Sequence, residues 1–197
     1  MSNVLILADF SGDKATKTTA ELATAGARIG TVTAVVLAGT GKGAALAATV
    51  NQGPIQSVIV LESDDFASHG VAASADALVN LVKEKSPAAV LIASHAFGKE
   101  VAARVSILTD SGIITDAIDV AADVTATQSV FGGSTTVKSK VSHGTSVITV
   151  RPNSVEADFS ASTPAIENGT AVVSADAKKA KVSSSQPPVK GGRPELT

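Results

Sequence analysis

Four short apolar runs, rich in β-branched residues, constrain this chain more than anything else in its sequence. They are Val4-Leu5-Ile6-Leu7-Ala8, Val32–Ala38, Val58-Ile59-Val60-Leu61 and Val90-Leu91-Ile92-Ala93. None alternates with polar residues, which is the pattern of strands covered on both faces. Their first residues lie 28, 26 and 32 positions apart (4, 32, 58 and 90), room for one helix between each pair. That spacing predicts consecutive βαβ units and an open, mainly parallel sheet in a three-layer α/β/α architecture.

The intervening segments carry helical periodicity. Leu22, Ala25, Gly26 and Ile29 fall at i, i+3, i+4 and i+7, giving one apolar stripe, and Gly30 is placed where a C′ glycine would end that helix. Ala44–Val50 is a short Ala-rich helix closed by Gly53-Pro54. Val71, Ala75, Leu78 and Val82 line one face of a third, with Lys83 and Lys85 in its last turn and Pro87 beyond. Lysines there complement the negative end of the helix dipole. Val101, Val105 and Leu108 mark a fourth helix before Gly112.

From about residue 112 the texture changes to Ile113-Ile114 and then Thr/Val-rich segments, Gln128–Phe131, Thr135–Val141 and Ser146–Val150. With His143-Gly144 as the turn between the last two, this reads as a hairpin or small antiparallel extension on the parallel core. The expected α/β domain therefore spans 1–153. Residues 154–197 are polar and end in Ser183-Ser184-Ser185-Gln186-Pro187-Pro188 and Gly191-Gly192-Arg193-Pro194, the composition of a linker. A linker implies a further domain to be linked.

Composition excludes several functions. Lys and Arg total 16 against 18 Asp and Glu, so the basic excess of a nucleic-acid-binding protein is missing. Without cysteine there are no disulfides, thiolate metal sites or thiol nucleophiles. There is no Trp or Tyr, so aromatic platforms would have to come from five Phe. No apolar run approaches the roughly 20 residues of a membrane span, and the first residues carry no basic leader. A soluble cytoplasmic protein is expected.

Candidate chemistry is sparse. Gly39-Thr40-Gly41-Lys42-Gly43 follows a strand and opens a helix, as a phosphate cradle would. It lacks the first glycine of the P-loop pattern, because position 36 is Val, and the residue after Lys42 is Gly instead of Ser or Thr. It also fails the dinucleotide pattern, because its third glycine comes one residue early. A flexible turn is the expectation. Asp9-Phe10-Ser11-Gly12-Asp13 and Ser94-His95-Ala96-Phe97-Gly98-Lys99 follow the first and fourth strands, at the sheet end where open α/β folds bind ligands. For the first, turn chemistry is the expectation. For the second, a loop or interface role is expected, since Ser94 and His95 have no glycine elbow and are chain neighbours. Asp64-Asp65 suits a helix start better than a metal site. His69 and His143 are isolated, and Lys178-Lys179-Ala180-Lys181 reads as a solvated face. No catalytic, cofactor-binding or metal-ligating residue is assigned.

Three further segments carry a resemblance. Phe97-Gly98-Lys99-Glu100-Val101-Ala102-Ala103-Arg104-Val105, continuing to Ile114-Thr115-Asp116, resembles a Gly-Lys/Arg-Asp/Asn stretch that leads into an Arg-containing helix and a Thr/Ser-Asp pair. Val130-Phe131-Gly132-Gly133-Ser134, with Val147–Pro152, looks like an aromatic-Gly-Gly/Ala-Gly turn and a closing Val-Arg-Pro/Gly strand. Gly192-Arg193-Pro194-Glu195-Leu196-Thr197 is similar to an interdomain link. The chain thereby resembles electron transfer flavoprotein α subunits, the first two segments their N-terminal domain and the third the link between their two domains. Glu100 stands where Asp or Asn is common, and Ala103 where Pro is frequent.

The resemblance implies an adenine-nucleotide α-hydrolase-like fold with sheet order 3-2-1-4-5, acting as scaffold and subunit interface. It also implies FAD in the intact protein, held by a second α/β domain beyond this segment and not by this one, and AMP in the partner β subunit. The intact heterodimer would carry electrons from dehydrogenases, such as acyl-CoA dehydrogenases, to a quinone oxidoreductase, in the bacterial cytoplasm and without membrane insertion. The alternative is a small adenine-nucleotide-binding module similar to universal stress proteins. Those carry a glycine-rich phosphate motif after the fourth strand, where Ser94–Gly98 has one glycine.

Overall fold

The computed structural model describes residues 2–186. All four apolar runs are strands: β1 (Asn3–Leu7), β4 (Thr31–Ala38), β5 (Ser57–Glu62) and β6 (Ala89–Ala93). The short strands β2 (Phe10–Ser11) and β3 (Lys14–Ala15) pair with each other as a separate small hairpin. Helices α1 (Lys17–Ala27), α2 (Gly43–Ala47), α3 (Asp65–Lys85) and α4 (Ala96–Leu108) alternate with the parallel strands. After α4 come β7 (Ile113–Val120), β8 (Ala126–Val130), β9 (Thr135–Ser139), β10 (Ser146–Val150) and β11 (Ala165–Thr170). The nine-stranded sheet runs β11-β5-β4-β1-β6-β10-β7-β8-β9.

Alternation along each strand sends side chains to two cores. Val4 and Ile6 of β1 pack with Leu22, Ala25 and Ala47 from α1 and α2, while Leu5 and Leu7 pack with Leu78, Val82, Val101 and Val105 from α3 and α4. The result is the expected three-layer α/β/α fold. Its central strands are buried on both faces, which is why their sequences show no alternation.

Strand order 3-2-1-4 holds as β5-β4-β1-β6, but the next place belongs to β10 and not to the next strand in the chain. Ser146–Val150 lies parallel to both β6 and β7, so the expected hairpin between Thr135–Val141 and Ser146–Val150 does not form. Burial explains the difference. All five residues of β10 are buried, whereas Thr135–Lys138 of β9 are exposed. The antiparallel extension is β8 and β9, joined through Phe131–Gly133 and hung on β7.

Other local expectations are corrected too. Gly30 is not a left-handed helix cap. It is required because a Cβ there would sit 1.9 Å from the Ser2 carbonyl oxygen, at the entry to β1. Leu108 does not join the core face of α4 and is 47% exposed. Residues 154–186 hold more structure than their polar composition suggests. From β10 the chain crosses α1, where Asp158 N–H donates to Thr24 Oγ1, and bonds at Gly53 and Asn51. It then adds β11 parallel to β5. Edge strands need only backbone pairing, so hydropathy gives no sign of them. Pro187-Pro188 and Gly191–Thr197 lie outside the described residues.

Candidate functional site

The chain builds outward from β1 in one direction through β4 and β5, then returns to place β6 on the other side. Ligands of open α/β sheets bind at such a reversal, beyond the carboxyl ends of the strands. Here a cleft of about 550 Å³ lies at that point, its walls drawn from the end of β1 and the residues after it, Leu7–Phe10, and from Ile92 and Ala93 of β6 with His95 and Phe97 beyond. Phe66 and Ser74, both from α3, close a third side.

Asp9 and His95, which the sequence puts in separate loops, meet at its rim with Oδ1 and Nε2 3.0 Å apart. His95 caps α4, its Nδ1 accepting the Gly98 N–H at 3.1 Å. That leaves Nε2 as the protonated nitrogen of the neutral ring and the donor to Asp9. Asp9 is fixed from behind. Its Oδ2 accepts from Thr16 Oγ1 at 2.7 Å, and its own N–H donates to Thr19 Oγ1 at 2.9 Å. No serine completes a nucleophilic arrangement. Ser94 donates to Asp116 Oδ1 at 3.2 Å and accepts from Thr149 Oγ1 at 3.0 Å, away from His95 in the hydrogen-bond pattern.

That second network unites segments distant in the chain. Arg151, one residue past β10, holds Asp116 of β7 with two bonds, Nε to Oδ1 at 3.3 Å and Nη2 to Oδ2 at 2.6 Å. Nη2 also donates to the Ser129 carbonyl, and Asp116 N–H donates to Thr149 Oγ1. The Arg151 guanidinium holds the Asp116 carboxyl below its usual pKa, against an opposing effect of burial. Asp116 in turn raises the pKa of Arg151. Nothing in the residue spacing joins positions 116, 129 and 151, so sequence reasoning missed this network. Only the insertion of β10 beside β7 brings them together.

The glycine-rich turn is filled by the protein itself. Gly41 and Gly43 N–H groups donate to the two Glu62 carboxylate oxygens at 3.0 and 2.7 Å, and Thr40 N–H donates to Asp64 Oδ1 at 3.0 Å. A phosphate arriving there would meet two carboxylates in place of free donors. Asp64 therefore caps this turn. Asp65 pairs with Lys178 at 2.7 Å, and that bond holds its carboxyl below its usual pKa. Lys178 is thus a tether for the chain's late segment and not only part of a solvated face. His69 lies against the same segment, its ring 2.7 Å from the Ala180 carbonyl oxygen. His143 faces Asp110 at 4.0 Å on the surface. Among the described residues no group of three or more His, Cys, Asp or Glu could hold a metal ion, and no helix is long and apolar enough to cross a membrane.

Comparison with known proteins agrees with this architecture. Residues 4–185 match the family model for the electron transfer flavoprotein domain. The chain is 36% identical over 158 residues to the electron transfer flavoprotein subunit alpha of Mycobacterium tuberculosis strain H37Rv, covering 80% of this chain and 50% of that protein. It is 34% identical over 201 residues to the same subunit of Mycobacterium leprae, covering 100% of this chain and 62% of that protein. The chain thus spans about half to three fifths of the length of these relatives. With the family model matched over residues 4–185 and both relatives being α subunits, the chain belongs to the electron transfer flavoprotein family, on the side of its α subunits.

Proposed function

We propose that this chain is the N-terminal scaffold and subunit-interface domain of an electron transfer flavoprotein α subunit. In this reading the intact heterodimer carries electrons from dehydrogenases, acyl-CoA dehydrogenases among them, through FAD to a quinone oxidoreductase, in the bacterial cytoplasm. A second α/β domain holds the flavin, and the β subunit holds AMP. The protein's share of flavin chemistry is to position the cofactor and tune it electrostatically. This domain supplies the platform.

The observation that carries the reading is the self-filled phosphate position. The fold furnishes a glycine-rich turn before α2, yet Glu62 and Asp64 take its N–H groups. The residues of the cleft do not fit FAD either. Among its described lining residues there is no Lys or Arg to meet a pyrophosphate, and the Asp9 carboxylate stands at the rim. The same points weigh against the adenine-nucleotide module. Large exposed apolar side chains, Ile107 and Leu108 of α4, Ile113 of β7 and Val137 of β9, support an interface role, because obligate interfaces resemble a core cut in half.

Visible absorption of the purified chain before and after incubation with FAD tests this. A chain that stays colourless after gel filtration is expected, together with co-purification of the cognate β subunit on coexpression. A yellow chain holding flavin stoichiometrically, or no association with the β subunit, would sink the proposal.

A further inference from the structure

The switch-point cleft has the features of a small-molecule site of a different kind. Its volume of about 550 Å³ lies within the usual range for ligand pockets. Phe10, Phe66 and Phe97, three of the chain's five phenylalanines, line it together. A protein with so few aromatic residues has gathered three of them around one space, where they can pack against a flat ring.

The polar groups are selective. Ser74 is only 3% exposed and lines the cleft. A serine hydroxyl can both donate and accept. At the rim, Asp9 receives one bond on each carboxylate oxygen, from Thr16 and His95, so lone pairs remain on both. The His95 ring offers nothing further, because Nε2 faces Asp9 and Nδ1 accepts from Gly98. The cleft therefore offers a carboxylate acceptor and shows no Lys or Arg among its described lining residues.

One wall is also bent at a glycine. Gly70 interrupts α3 with φ 55° and ψ −130°, inside a helix that otherwise runs from Asp65 to Lys85. Only glycine adopts that geometry without strain. It separates the single turn carrying Phe66 from the buried stretch carrying Ser74, and Lys178 secures the outer turn through Asp65.

We infer that the cleft binds a neutral, planar heteroaromatic compound carrying a hydrogen-bond donor on one edge, its ring among Phe10, Phe66 and Phe97 and its donor facing Asp9 or Ser74. This goes beyond the scaffold role and stands or falls independently of it. Anions are rejected by Asp9 and by the absence of a cation among the described lining residues.

Three probes with one ring system test it: indole, 1-methylindole and indole-3-carboxylate. The chain has no Trp or Tyr, so indole emission reports the probe alone. Indole is expected to bind at least fivefold more tightly than either of the others. Ser74→Leu, which fills the cleft, should abolish binding, and Phe66→Ala should weaken it at least threefold. Circular dichroism of each variant checks folding, and competition at Phe97→Ala gives a second route if Ser74→Leu does not fold. Equal affinity for all three probes would mean only a sticky apolar surface and overturn the inference. So would preference for the carboxylate, or indole binding that survives both Phe66→Ala and Phe97→Ala. A cleft closed by a second copy of the chain would show as no indole binding together with a dimer that Ser74→Leu dissolves, and would overturn it equally.

Discussion

At the scale of single residues, the Asp116–Arg151 pair and Glu21 differ in how far they are buried. Asp116 and Arg151 are each partly open to solvent, with side chains 38% and 41% exposed, so screening keeps their pair to roughly 0.2–1 kcal/mol. Its pH dependence has a definite sign. The Asp116 pKa is lowered in the folded state, so its contribution is complete above the ordinary carboxylate pKa of about 4 and is lost as pH falls through the lower folded value. Thermal unfolding should therefore show Asp116→Asn less stable than the parent at pH 7 and the gap closing below about pH 4. A gap that persists unchanged at pH 2.5 would rule this out.

Glu21 is the opposite case. Its side chain is 1% exposed, beside Lys17 at 3.2 Å, and it accepts the Asn153 N–H at 2.9 Å where the chain leaves β10. Glu21→Ala strands that donor and should cost about 1–3 kcal/mol in urea unfolding. Glu21→Gln, which keeps an acceptor, should lose less.

At the scale of elements, β10 and β9 make the informative pair. Both are short Thr/Val-type strands in the sequence, yet one is the buried heart of the second half of the sheet and the other its exposed edge. Ile148→Ala should cost about 2–5 kcal/mol, and Val137→Ala within about 0.5 kcal/mol, both measured by urea denaturation. The contrast was legible in one respect only. Val147-Ile148-Thr149-Val150 comes close to the nearly continuous apolar pattern of β1, β4, β5 and β6, whereas Thr135-Thr136-Val137-Lys138 holds one apolar residue in four. Its neighbours were not legible, because pairing across the sheet is a long-range choice that local turn signals such as His143-Gly144 do not encode. The same limit applies to the site. Asp9, Ser94 and His95 could be placed at one sheet end from strand spacing alone. Ser74 could not, since a serine on a helix face carries no mark of the cavity opposite it. Strand β11 was invisible for another reason, as all six of its residues are exposed and it enters the sheet through backbone bonds alone.

At the scale of the whole molecule, stability should grade outward from the middle of the sheet. Amides of β1, β6 and β10 have partners on both sides, while β11 and β9 have them on one. Native-state hydrogen exchange should therefore place β10 amides near the global opening free energy and β11 amides well below it. Protection of β11 equal to that of β10 would mean that the late segment unfolds only with the core. The place of β10 also bears on how the chain is made. Strands β1 to β6 and their helices are complete once α4 ends at Leu108, yet one edge of β6 stays bare until Ser146–Val150 arrives. Until then β7, β8 and β9 have no strand to join them to the rest of the sheet. On a ribosome adding about 5–20 residues each second, the unpaired backbone edge of a strand with only apolar side chains stands open for several seconds. During that interval a nascent chain can pair with another translated from the same message, so synthesis in the cold or from a crowded transcript is where this protein is most exposed to aggregation.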